Sequence, residues 1–216
     1  MVQLPDTDWV AESLKGLAPV RAGRFFLHGS HDRAIRPANG FAIEIDAGTA
    51  FGTGHHGTTR GCLLGFEWLV KQRRHVPRVL DVGCGTGVLG IAAALALKAP
   101  VLASDIDPEA VRVSRINAVA NGAGGFLTAI TATGTGHKLI QSSAPYDIIF
   151  ANILARPLMA LAPSLSRLLT AKGRVILSGL THDQERMVSA AYRNQGLSHC
   201  ARFRLEGWST LVMGGK

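Results

Sequence analysis

The sequence predicts an α/β fold: a doubly wound, mostly parallel sheet of seven strands that finishes in an antiparallel hairpin. Three observations carry this expectation. From residue 59 onward, strand-like and helix-like periodicities alternate, as parallel strands joined by crossover helices require. A β-branched run at 78–82 passes Asp81 and turns through Gly83, Gly85 and Gly87 into an apolar stretch at 88–97, a strand–loop–helix pattern that lets backbone approach a nucleotide-sized ligand. Two β-like runs, 200–205 and 208–213, close the chain with only Glu206 and Gly207 between them, and so short a loop demands antiparallel pairing.

Each element follows in order. A helix at 59–71 sets Cys62, Phe66, Leu69 and Val70 on one stripe. The strand at 78–82 leads through the glycines to a helix at 87–97, then a strand at 101–105. Pro108 opens the next helix, which runs to about Ala120, because proline suits the first helical turn. A strand at 126–131 precedes a Gly/Thr-rich loop at 132–137, and a further strand spans 146–150. The helix at 157–169 presents Leu158, Leu161, Leu165 and Leu168, with a kink expected at Pro163. After a strand at 173–177, Thr181 to Gln184 form a capping box before a helix bearing Met187 and Ala191. Five strands plus the hairpin make seven. Residues 1–45 are expected to be an N-terminal linker or extension, and 46–216 the principal domain.

Composition frames the function. A chain of 216 residues with 47% hydrophobic content buries one sizeable core. Against 15 Asp and Glu stand 23 Lys and Arg, a net charge of +8 that suits a negatively charged partner such as RNA, the ribosome or an acidic protein, or serves solubility alone. Cys62, Cys84 and Cys200 are odd in number and far apart, which points to neither a disulfide framework nor a zinc knuckle and fits a reducing cytoplasm. Cys84, inside the glycine loop, reads as a small residue filling a tight turn. The longest apolar run, 88–97, is too short to cross a bilayer of about 30 Å, so no membrane association is expected.

The glycine loop poses a choice of cofactor. Residues 85–90 spell GxGxxG, as in dinucleotide-binding folds, which alone is a weak signal. Asp81 and Gly83 extend it to DxGxGxG, a pattern similar to that of S-adenosylmethionine-dependent methyltransferases. An acid at the mouth of the loop repels a pyrophosphate and attracts a methionyl ammonium. The ligand then sits at the N-terminus of the following helix, with Asp105 positioned for a ribose diol. The seven-strand count with its terminal hairpin likewise resembles the class I, Rossmann-like methyltransferase fold and not the six-stranded dinucleotide fold.

Two further segments narrow the resemblance. Ala50 to Thr59 reads AFGTGHHGTT and Ala151 to Leu154 reads ANIL; with Asp8-Trp9-Val10, Asp105 to Pro108, Ser178-Gly179-Leu180 and Trp208, they resemble in order the PrmA family, bacterial methyltransferases of large-subunit ribosomal protein eleven. The resemblance implies transfer of methyl groups from S-adenosylmethionine to protein amines, with a ribosomal protein as substrate. It also implies that Thr59, Gly83, Asp105 and Asn152 contact the cofactor; Gly85 and Gly87 join them as the rest of the loop, and Asn152 doubles as the catalytic residue.

The chemistry of these side chains agrees. Asp105 can accept two hydrogen bonds from the diol, Thr59 and free helical amides can hold a carboxylate, and the Asn152 carbonyl can accept a proton from an incoming amine. Methyl transfer is an in-line displacement, so alignment is the main task. A terminal amine, with pKa near 8, loses its proton more readily than lysine near 10.4. For Thr59 an ordinary helix cap is the structural alternative. His56 is expected to brace the loop over the cofactor, His28 and His31 lack a third metal ligand, and Trp9 and Phe51 suit core or hinge positions better than the cleft.

The family usually carries an additional N-terminal recognition domain, whereas here the chain starts almost at the Asp8-Trp9-Val10 segment. Methylation of another protein's lysines or of a small amine therefore stands beside the leading expectation. A nicotinamide-dependent oxidoreductase and a non-catalytic binding module are the readings from other classes. No nucleic acid is required for the reaction, and a cytoplasmic monomer is expected.

Overall fold

The structure is a computed structural model that describes residues 18–45, 57–71 and 78–215. The first described elements are three short strands, β1 (Val20–Ala22), β2 (Phe25–His28) and β3 (Phe41–Glu44), in a small sheet of order β1-β2-β3. Sequence periodicity suggested nothing here, because strands of three or four residues are too short to show one. The strands nonetheless belong to the main core. Phe25, Leu27 and Ile43 are fully buried, and Phe25 packs 5.7 Å from Phe66 across the gap to the first long helix. Asn121 ties the two sheets together, its amide accepting Glu44 N–H at 2.7 Å and donating to Glu44 C=O at 2.8 Å.

Helix α1 (Gly57–Val70) leads on to the alternating region: β4 (Val79–Val82), α2 (Val88–Leu97), β5 (Val101–Asp105), α3 (Pro108–Ala120), β6 (Leu127–Thr131), α4 (Lys138–Ser142), β7 (Tyr146–Asn152), α5 (Ala155–Arg167) and β8 (Leu169–Thr181). A 3-10 turn, α6 (Glu185–Arg193), β9 (Ser198–Leu205) and β10 (Trp208–Gly214) complete it. The strands lie in the order β6-β5-β4-β7-β8-β10-β9, all parallel except β10, which runs antiparallel to both β8 and β9. Glu206 and Gly207, at φ 52° and 82°, make the left-handed two-residue turn that matches strand twist. The expected seven-stranded fold with its terminal hairpin is the one observed.

Helices α1, α2 and α3 cover one face of the sheet and α4, α5 and α6 the other. Covered on both sides, β4 reads as an unbroken buried run instead of an alternating one. Three details depart from expectation. Helix α4 was not foreseen, since five residues capped by His137 give too little periodicity. Strand β8 has thirteen residues because its ends find partners, Leu169 opposite Tyr146 and Thr181 opposite Trp208. On α6 the inward residues are Val188 and Tyr192, while Met187 is 52% exposed.

Helix α1 sets its backbone against the sheet, and its glycines explain how. Gly57, Gly61 and Gly65 recur every four residues along one face. A Cβ at Gly57 would lie 2.8 Å from Leu205 C=O, one at Gly61 would overlap the Thr210 hydroxyl, and one at Gly65 would press Val212 at 3.2 Å. Backbone therefore rests on β10 and its turn, which sets the height of the first turn of α1 over the sheet.

Candidate active site

The chain moves outward from β4 to β5 and β6, then returns to β7 on the other side of β4. The crevice beyond the carboxyl ends of β4 and β7 is thus the switch point where such sheets bind ligands. Of the expected site residues, Gly83, Gly85, Gly87, Asp105 and Asn152 lie at the carboxyl ends of β4, β5 and β7, and Thr59 lies beside Asn152.

The loop after β4 is held in a fixed shape. Gly83 and Cys84 donate their N–H groups to Ser104 C=O at 2.8 and 3.0 Å, fastening the loop to β5. Gly83, Gly85 and Gly87 all have left-handed φ, at 72°, 53° and 83°, which β-carbons disfavour. At Gly83 a Cβ would also strike the Ile153 side chain, so this glycine is where the loop meets the ANIL segment. Gly179, likewise left-handed, backs the same segment, leaving no room for a Cβ beside Ile153 C=O.

Asp105, at the end of β5, accepts Gly85 N–H at 2.8 Å on Oδ2 and Asp107 N–H at 3.1 Å on Oδ1. It is half-buried, and each oxygen keeps a second lone-pair site for a diol. Asp107 in turn caps α3 through Glu109 N–H. Asp81 differs from expectation. Its side chain is not at the mouth of the loop but buried to 1% exposure beneath α2, where Oδ2 accepts Gly90 N–H at 2.9 Å and Oδ1 has no partner among the described residues. Burial pushes its carboxyl up to about 7; the Gly90 bond opposes the rise and the Asp105 charge adds to it. It supports the loop from below and cannot act as an exposed counter-charge. Burial also pushes the Cys84 thiol well above its ordinary range, which suits a packing residue.

On the opposite wall, Asn152 ends β7. Its Nδ2 points to the hydroxyls of Thr58 and Thr59, 3.5 Å from each. Both threonines are buried in the first turn of α1, so Thr59 is not an N-cap ahead of the helix. Amide groups in a first turn lack intrahelical acceptors and are available to an anion. Thr58 was missed by sequence reasoning, although its place beside Thr59 was a signal. With Nδ2 turned toward the threonines, the Asn152 carbonyl oxygen can accept a further hydrogen bond. Trp9, Phe51 and His56 lie outside the described residues. His28 Nδ1 bonds Gly29 C=O at 2.7 Å and His31 meets Asp32, so the HxxH pair turns to separate partners.

These groups form a donor and acceptor set that fits S-adenosylmethionine: a carboxylate for a ribose diol, a glycine loop, and first-turn amides for a carboxylate. The model of the PrmA family, described as ribosomal protein L11 methyltransferase, matches residues 1–216. The chain belongs to the PrmA family. A ribosomal protein L11 methyltransferase of Brucella suis is 52% identical over 206 residues, 95% of this chain and 72% of that relative. One from a Caulobacter species is 50% identical over 97% of this chain and 72% of its own length. The crystal structure of a ribosomal protein L11 methylase from Lactobacillus delbrueckii subsp. bulgaricus superposes with a TM-score of 0.77 at 28% identity, covering 92% of this chain and 98% of that one. As a PrmA-family member with this fold, the chain is an S-adenosylmethionine-dependent protein methyltransferase.

Proposed function

We propose that the cleft methylates amines of ribosomal protein L11, on its terminal amine and lysine side chains. The observation that carries this reading is the placement of Asn152 against Thr58 and Thr59, directly across the switch point from Asp105 and the glycine loop. Bound there, S-adenosylmethionine supplies an already activated methyl group on a sulfonium. Asp105 would hold the ribose diol, the loop at Gly83, Gly85 and Gly87 would border the nucleoside, and Thr59 with the first-turn amides of α1 would hold the methionyl carboxylate. Asn152 accepts a hydrogen bond from the neutral amine through Oδ1 and directs its lone pair along the displacement axis. Its own orientation is kept by the two threonine hydroxyls.

On this reading the chain acts as a monomer and the reaction needs no nucleic acid. The site residues fall within 46–216, which on this reading is the catalytic domain, with 1–45 as an extension whose strands at 20–28 and 41–44 pack onto it. No helix among the described residues is long and apolar enough to cross a membrane. The test is incubation with methyl-labelled S-adenosylmethionine, purified ribosomal protein L11 and, in parallel, an unmethylated lysate. Label on L11 at amine positions is expected; label confined to another protein would assign a different substrate.

A further inference from the structure

On the face of the sheet away from α1, a groove of about 320 Å³ separates α6 from the edge strand β9. One wall is helical: Arg186 and Arg193, seven residues apart, fall on the same exposed stripe, with Ser189 between them. The other wall is the strand, where Arg202 and Arg204 alternate outward. Their guanidiniums are set in place by Glu185, which is buried and receives Arg204 at 2.7 and 2.9 Å, Arg202 at 3.3 Å and the Ser209 hydroxyl at 2.6 Å. These bonds hold the Glu185 carboxyl down to about 2, so it is ionised and satisfied. It is the one acid among the lining residues, against four arginines.

What the groove lacks identifies its ligand. Among the described residues its single apolar lining residue, Leu211, is 1% exposed, and its only rings are the imidazoles of His182 and His199, with no Phe, Tyr or Trp. A peptide interface needs an apolar or aromatic anchor, and base recognition needs stacking surfaces. A guanidinium-rich lining suits phosphate, which guanidiniums grip in forked pairs of hydrogen bonds; the fork of Arg204 is taken by Glu185, so Arg186 and Arg193 are the groups placed to grip it. We propose that this groove holds the phosphodiester backbone of single-stranded RNA, without reading its sequence. The choice of RNA as the source rests on the reading that the substrate is a ribosomal protein. The groove also leads to the site: His182 at its end bonds Trp208 C=O at 3.2 Å, and Trp208 borders Gly57 at the start of α1.

The test is fluorescence anisotropy of the full chain with labelled oligouridylate, oligothymidylate and oligoglutamate over a range of salt. Both oligonucleotides are expected to bind within a few-fold of each other, with oligoglutamate weaker. Arg186→Gln with Arg193→Gln should reduce the log–log salt slope by about 1.4, from roughly 0.7 per phosphate contact, and weaken binding about twentyfold at 0.1 M salt. Arg21→Gln with Lys138→Gln, exposed cations elsewhere, removes the same charge and should change binding by less than about threefold. Methylation of isolated L11 should be unchanged in both variants, which keeps this proposal separable from the assignment of substrate. Equal losses in the two double variants would reduce the effect to net charge, and tighter binding of oligoglutamate would replace RNA with an acidic protein; either result overturns the proposal.

Discussion

At Asp105 one carboxylate serves both the loop and the ligand, since the oxygens that accept Gly85 N–H and Asp107 N–H are those available to a ribose. Asp105→Ala removes charged hydrogen bonds worth about 1.5–3 kcal/mol each and frees the loop, so affinity for S-adenosylmethionine should fall roughly tenfold to a hundredfold by calorimetric titration. Asn152→Ala should divide its effect differently. Loss of alignment is expected to lower kcat about a hundredfold, with a loss of cofactor affinity no larger than about tenfold. A large affinity loss with kcat intact would make Asn152 a cofactor ligand alone. Asp81 carries a prediction of opposite sign. Its folded-state pKa, about 7, lies above the ordinary 3.8, so the folded protein keeps a proton that the unfolded chain has lost between those values. The stability it contributes is complete below pH 3.8 and is lost as pH rises through 7. Asp81→Asn keeps an acceptor for Gly90 N–H and never ionises. It should therefore melt higher than wild type at pH 8, and the difference should vanish near pH 4. A variant that is less stable at pH 8 would mean that the ionised carboxylate has a partner in the fold.

Among the elements, α1 sets the position of the threonines, and the glycine face against β10 sets the position of α1. Gly61→Val would drive two methyl groups into Thr210, whose hydroxyl is already engaged with Ser178 at 2.8 Å. Such overpacking costs typically about 1–3 kcal/mol and should lift the first turn of α1 from Asn152. The expected result is a lower melting temperature together with a fall in kcat, although residue 61 touches no reactant. Thr210→Ala in the same chain should restore part of both, because it clears the space that the new side chain needs. The glycine face was not read from the sequence, but two other single-element features were legible in advance. The start of α3 at Pro108 and the turn at Glu206-Gly207 rest on local chemistry, and both stand where local rules put them. The side-chain direction of Asp81 was not legible, because a strand buried on both faces offers no alternation from which to read inside and outside. Thr58 and Thr59 meet Asn152 across more than ninety residues of chain, a pairing that only the fold or a family resemblance can reveal.

Across the whole molecule, the small N-terminal sheet and the seven-stranded sheet share one core, so the site and the extension should not unfold separately. Phe25 lies against Phe41 and Phe66, Phe66 against Phe150 of β7, and Asn121 closes the seam with two hydrogen bonds to Glu44. The short strands were missed in sequence for the same reason that they need this support: three or four residues per strand neither show a period nor stand alone. Differential scanning calorimetry should accordingly give a single transition with equal calorimetric and van't Hoff enthalpies. S-adenosylmethionine at a hundred times its dissociation constant should stabilise the folded state by about 2.7 kcal/mol, which for a chain of this size raises the transition by roughly 5–10 °C. If Asp105→Ala weakens binding tenfold to a hundredfold, the same ligand concentration should add only about 0.4–1.4 kcal/mol and a correspondingly smaller shift. Two separate transitions, with only the later one moving on addition of cofactor, would show that the aromatic seam does not couple the small sheet to the cleft.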